Sequence, residues 1–183
     1  VATTTEIYDY LRLMYARVGT PHCPHGGEAL EGWTPTRLAR RLTDTRDGQR
    51  LMILAPLFRP GSTHAAALDK AEHFDALAKT LVPEGYTRVR IGDEVVEVQE
   101  WLARPEKQRK VAKGTAIDLV IDRVRIGADE RKRMAEALEA AYRKGHGLAR
   151  LVYVDDGNKE EIVSEVPGCV AHGHYLPEPF TPR

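Results

Sequence analysis

The amino-acid sequence predicts an α/β (α+β) domain: a small mixed sheet with helices packed on one face, joined to an N-terminal helical arm and a C-terminal irregular arm. Three observations carry this expectation. Apolar residues recur at three- and four-residue steps in four separate segments. Short apolar or alternating runs bounded by Gly, Pro and Asp stand between those segments, as strands do. Near both ends the pattern gives way to stretches rich in His, Cys, Pro and Gly that keep neither period.

In residues 5–18, Ile7, Tyr10, Leu11, Met14, Tyr15 and Val18 define the apolar side of a helix that stops at Gly19-Thr20-Pro21. His22, Cys23, Pro24, His25, Gly26 and Gly27 follow as a knuckle or linker. Thr34-Pro35 reads as an N-cap with proline at the first helical position, and Leu38, Ala39 and Leu42 line a short arginine-rich helix. The unbroken apolar run from Leu51 to Ala55 marks a buried strand over 50–56. Ala67, Leu68, Ala71, Phe74, Leu77, Ala78 and Leu81 give a helix over 64–82, closed by Pro83-Glu84-Gly85. Residues 86–91 and 94–98 form a hairpin across Gly92-Asp93. A basic stretch, 104–113, leads into a strand over 116–126. The helix over 129–144 turns Met134, Ala137, Leu138 and Ala141 inward, carries Arg143 and Lys144 in its last turn and meets Gly145. A strand at 149–154 turns at Asp155-Asp156-Gly157-Asn158 into a shorter one near Ile162.

The 183 residues, 42% hydrophobic and 30% charged, support one core of about 100–150 residues with a smaller appendage. Lys+Arg and Asp+Glu both number 27, so the net charge advertises neither nucleic acid nor membrane nor an acidic substrate, and any electrostatic function is local. With no long apolar run and no basic-then-apolar leader, the chain is expected to be cytoplasmic and free of membrane. It begins Val1-Ala2-Thr3 and reads as a piece of something longer. Two cysteines, Cys23 and Cys169, are too few for a disulfide scaffold and fit reduced thiols or metal ligands.

Arg88-Val89-Arg90-Ile91-Gly92 recurs letter for letter as Arg123-Val124-Arg125-Ile126-Gly127, but the flanking segments differ, so convergent strand chemistry explains it better than duplication. A phosphate-holding glycine loop ending in Lys and Ser/Thr, a G-x-S-x-G elbow, an H-E-x-x-H helix and a G-x-G-x-x-G turn are all missing, and the chain is expected not to be an enzyme. Asp118 and Asp122, four apart in one strand, share a face and read as charges on its solvent side.

The run from Thr5-Glu6-Ile7-Tyr8 through Pro21-His22-Cys23-Pro24 closely resembles the UvrA family, the A subunits of the bacterial excinuclease, just after their first nucleotide-binding portion. Leu51 to Pro56, Glu84 to Ile91 and Val120-Ile121-Asp122-Arg123 agree in outline, so the resemblance covers nearly the whole chain. It implies an ABC-type ATPase head carrying an inserted domain, here residues 33–155, that docks the helicase-like subunit UvrB during nucleotide excision repair. Residues 1–32 and 156–183 then belong to the adjoining signature domain and carry a Cys/His knuckle each. ATP and magnesium are expected only in the rest of the parent, which would be a homodimer and would contact DNA.

On an alternating strand Arg88 and Arg90 point to one face, and Asp122 opposes Arg123 across the pleat. An arginine row suits a polar protein interface because each planar fork meets a carboxylate at two points. The resemblance therefore implies that Arg88, Arg90, Arg123 and Asp122 dock the partner. The basic residues Arg104, Lys107, Arg109, Lys110 and Lys113 suggest a second reading, contact with DNA phosphates, with only Trp101 nearby to stack on a base. The resemblance implies C-x-x-C or C-x-x-H at the first knuckle and C-x-x-C at the return, a zinc pattern. Here glycine stands at the expected second position of the first, Gly26, and the second reads Cys169-Val170-Ala171-His172. A zinc site drawn from Cys23, His25 (or His22), Cys169 and His172 requires the two arms to meet.

Overall fold

The computed structural model describes residues 2–60, 68 and 70–176. The chain divides into two compact units, Trp33–Glu165 and a discontinuous one made of Val1–Gly32 with Val166–Arg183. The larger compact unit runs on past residue 155 to Glu165, because the strand around Ile162 pairs into its sheet.

That larger unit runs α2 (Pro35–Arg46), β1 (Arg50–Phe58), α3 (Phe74–Leu81, entered through a 3-10 turn at Ala71–His73), β2 (Arg88–Ile91), β3 (Glu94–Glu97), α4 (Val98–Ala103), β4 (Ile117–Arg125), α5 (Arg131–Lys144), β5 (Leu148–Tyr153) and β6 (Lys159–Ser164). The six strands form one sheet in the order β3-β2-β4-β1-β5-β6. Where the sequence suggests a mixed sheet, all five pairings are antiparallel, so the fold stands at the α+β end of the expectation. The start of the expected 64–82 helix, His64 to Ala67, lies outside the described residues, as does the arm beyond Leu176. The sequence reading missed α4, taking residues 94–98 as strand throughout. The ladder ends where the Val98 amide donates to Thr87 (2.9 Å), and the next turn carries Trp101 edge-on to Phe74 at 5.7 Å between ring centroids.

Alternation decides what each side of the sheet carries. Leu51, Ile53, Ala55 and Leu57 of β1, Val89 of β2, Ile117, Leu119 and Val124 of β4, and Ala149, Leu151 and Tyr153 of β5 share one core with Leu38 and Leu42 of α2, Phe74 and Leu81 of α3, Trp101 of α4 and Met134 and Leu138 of α5. Every helix of this unit thus packs on one face. Met52, Leu54 and Val152 form a separate small cluster on the opposite face, which no helix of this unit covers among the described residues.

Pro56 sits in the central strand without harm: the β1–β5 pairing ends at Leu54, and a register shift follows Pro56 on the β4 side. A second shift skips Ile121, since Ile53 faces Asp122 while Leu54 faces Val120. This bulge corrects the expectation that Asp118 and Asp122 share a solvent face. The extra residue sends Asp118 to the helix-free face and Asp122 to the helix face.

The discontinuous unit holds α1 (Ala2–Val18) and a two-stranded ladder of β7 (Gly168–Cys169) and β8 (His174–Tyr175). The expected amphipathic helix forms, yet its apolar side is uncovered among the described residues: Ile7, Tyr10, Met14 and Tyr15 are all exposed, Tyr10 to 74%. No helix of the described residues is long and apolar enough to cross a membrane.

Candidate functional site

Two places bring chemistry-bearing residues together, one in each unit. In the discontinuous unit the chain after α1 folds back on itself. The Cys23 amide donates to the Glu28 carbonyl (2.8 Å), and the Gly27 amide returns to the Cys23 carbonyl (2.8 Å). Gly27 stands at φ +74°, the left-handed region that glycine enters at no steric cost. The C-terminal strand pair makes a matching knuckle, with the His172 amide donating to Cys169 Sγ (3.4 Å) and the Gly173 amide to the Cys169 carbonyl (2.8 Å). A bridge between Glu31 and Gly168 joins the two knuckles.

The result is a cluster of four donors, Cys23, Glu28, Cys169 and His172, all within 4.8 Å of one another. His172 Nδ1 lies 3.3 Å from each sulfur and 3.2 Å from Glu28 Oε1. The Cys169 thiol donates to Glu28 Oε1 at 2.8 Å. Ligand atoms on a tetrahedral zinc with bonds of about 2.0–2.3 Å stand about 3.3–3.8 Å apart, so the set fits zinc in donor type and nearly in spacing. Three of the four sequence-suggested ligands are brought together. The fourth, His25, is not among the clustered donors, and its ring lies tilted against that of His172 at 5.8 Å. Glu28 takes that place; a search confined to Cys and His could not find it. Burial works to raise the Cys23 thiol, but the amides of Gly26 and His25 outweigh it and hold the thiol below its ordinary value. Cys169 is pushed up, first by its hydrogen bond to the Glu28 carboxylate and then by burial. The same bond holds Glu28 below the ordinary carboxylate range.

The second place is the helix-free face of the sheet. Asp118 is fully buried there; Arg90 Nη2 reaches it at 2.8 Å and Arg150 Nε at 3.1 Å. Both arginines also bind Glu160, Arg150 at 2.5 Å. In a flat sheet the four steps from β2 to β6 would span about 19 Å, farther than Arg90 and Glu160 reach, so the sheet curls and this face is concave. Glu160 falls below the ordinary carboxylate value because the bonds from Arg90 and Arg150 outweigh the opposing effect of its burial.

The four residues the sequence nominated for docking therefore stand in three situations. Arg88 and Arg123 are exposed on the helix-free face, Arg88 with a long pair to Glu97 at 3.5 Å. Arg90, on the same face, is only 7% exposed and its fork is taken up by Asp118 and Glu160. Asp122 lies on the helix face, held at two points by Arg133 of α5 at 2.8 and 2.9 Å. The basic segment divides as well. Arg109 reaches Asp75 at 3.3 Å and Arg104 stacks over Trp101 at 5.3 Å, while Lys107, Lys110 and Lys113 are exposed.

In chain order the sheet body begins at Trp33 and ends at Glu165 inside a unit contributed from both sides, which makes it an inserted α+β domain. Residues 34–155 match the family described as the UvrA interaction domain, and the chain belongs to that family. It is 39% identical over 178 residues to the UvrABC system protein A of Thermus thermophilus, covering 97% of this chain and 17% of that protein. The corresponding protein of Aquifex aeolicus is 38% identical over 178 residues, covering 97% and 18%. That of Deinococcus radiodurans is 38% identical over 182 residues, covering 97% and 17%. The chain thus spans less than a fifth of the length of these relatives.

Proposed function

We propose that this chain is the protein-docking domain of a DNA-damage-recognition ATPase of the UvrABC system. In this reading it binds UvrB in the cytoplasm during nucleotide excision repair, and ATP hydrolysis belongs to the rest of the parent protein. One observation supports the docking reading most: Arg88 and Arg123, from neighbouring strands, are exposed on the same helix-free face. An exposed pair such as Arg88–Glu97 contributes under about 1 kcal/mol, so its fork exchanges readily onto a partner's carboxylate. Arg90, bound twice and buried, instead fixes the curvature on which the other two stand, and Asp122 ties β4 to α5.

The test is titration of UvrB with the 183-residue chain and its Arg88→Glu and Arg123→Glu variants. Each is expected to weaken binding at least tenfold, about 1.4 kcal/mol, while Lys132→Glu on the exposed side of α5 leaves it unchanged. Full affinity in both folded arginine variants would remove this face from the interface. The exposed lysines 107, 110 and 113 support a second reading, phosphate contact with DNA. It requires duplex binding by the isolated chain that falls steeply with salt and weakens when these lysines are neutralised.

A further inference from the structure

The first knuckle lacks a donor at the place where a C-x-x-C or C-x-x-H half-site keeps its second one: position 26, three after Cys23, is glycine. The space beside it is filled. A Cβ built on Gly26 would stand 2.7 Å from the carboxylate carbon of Glu28, closer than real contacts allow. Gly26 is not among the residues with left-handed φ, so its backbone does not demand glycine. What a side chain at 26 would meet is the Glu28 carboxylate, folded back across the turn, which would have to swing out of the donor cluster to make room.

That carboxylate is also the group that meets the other three donors. Glu28 Oε1 lies 2.8 Å from Cys169 Sγ and 3.2 Å from His172 Nδ1, and all four donors fall within 4.8 Å. We propose that Glu28 is the fourth ligand of a tetrahedral zinc site completed by Cys23 Sγ, Cys169 Sγ and His172 Nδ1, the donor of the first half-site having moved from position 26 to position 28. The proposal rests on the metal reading of the knuckles and is independent of the docking face. It predicts that positions 26 and 28 are interchangeable: a ligand at 26 restores the site only when Glu28 is removed, because the two compete for one volume. Replacing one soft donor by a carboxylate oxygen also leaves two thiolates on the metal, which the spectrum of a cobalt-substituted site reports.

The experiment uses the 183-residue chain purified without a histidine tag, stripped of metal and titrated with zinc against a chromophoric chelator. Cobalt spectra are recorded in parallel, and circular dichroism checks that each variant keeps its fold. The unmodified chain is expected to bind one equivalent, with thiolate-to-cobalt charge-transfer bands and intense tetrahedral d–d bands. Glu28→Ala is expected to weaken zinc binding about 100-fold, at the upper end of what even outer-shell changes cost. The Gly26→Ala/Glu28→Ala double variant should stay as weak, and Gly26→His/Glu28→Ala should return to within about tenfold of the unmodified chain. Full zinc affinity in Glu28→Ala overturns the assignment of Glu28 and leaves the metal site itself standing. No bound zinc in the unmodified chain overturns both. A Gly26→His/Glu28→Ala variant as weak as its alanine counterpart overturns the exchange of positions.

Discussion

The two units are built on opposite principles. In Trp33–Glu165, thirty buried hydrophobic residues join in one cluster among the described residues. In the discontinuous unit the corresponding cluster has three, Cys23, Leu30 and Cys169, with Leu176 packed against them. Each ordered residue costs roughly 1–2 kcal/mol of backbone entropy, and three apolar side chains at roughly 1.5–3 kcal/mol each offset only a few residues' worth. The small unit is therefore organised around its polar centre, and two of its three buried residues are themselves donors. The sheet body needs no such centre on its helix side, where charge is confined to pairs such as Asp122–Arg133, and its buried charge network lies on the face that its helices do not cover.

The largest effects test whether the sheet body depends on these two devices. Phe74→Ala empties a fully buried site beside Trp101 and should lower stability by about 3–5 kcal/mol in urea unfolding. Asp118→Ala should cost a similar amount, about 3–5 kcal/mol, because it leaves the guanidiniums of Arg90 and Arg150 in buried surroundings with Glu160 alone between them. Zinc stoichiometry should not change in either variant. A loss of less than about 1 kcal/mol on Asp118→Ala would show that the concave face is not held by this network.

A smaller and local effect follows on the other side of the comparison. Chelation should open residues 20–32 and 166–176 to proteolysis and hydrogen exchange while moving the unfolding midpoint of the sheet body by less than about 0.5 kcal/mol. Joint loss of both units on chelation would contradict the division.

The smallest effect is in pH. Glu160 and Glu161 both lie below the ordinary value of 4.5; burial opposes this in each, and it is outweighed by Arg90 and Arg150 for Glu160 and by Arg41 and Tyr153 for Glu161. A carboxylate depressed in the folded state contributes stability that is present above its unfolded value and lost as pH falls through the folded one. Unfolding midpoints should accordingly be level above about pH 5 and fall from about pH 4.5 downward. Glu161→Gln should make the acid limb shallower, and an unchanged limb would remove Glu161 from the linkage.

Much of the architecture was legible in the sequence. The 3.6-residue period gave α1, α2 and α5 to within a few residues, and Gly92-Asp93 marked the hairpin. Arg88 and Arg90 could be placed on a single face by counting, because β2 is short and its alternation is unbroken. Counting failed where one residue was extra. The bulge at Ile121 breaks the period of two, so Asp118 and Asp122 separate and Asp118 goes into the interior. Arg90 looked equivalent to Arg88, since nothing local distinguishes the arginine that faces Glu160 from four strands away.

The sequence by itself determined most of the elements, the layering of helices on one face of a sheet and the family, because periodicity and motif are local and survive without coordinates. Tertiary structure alone decided which charges are spent inside the fold and which stay exposed, and that a glutamate joins the donor cluster. Both depend on distances between residues 28 to 149 positions apart, such as Arg90 to Asp118 and Cys23 to His172, which no local pattern encodes.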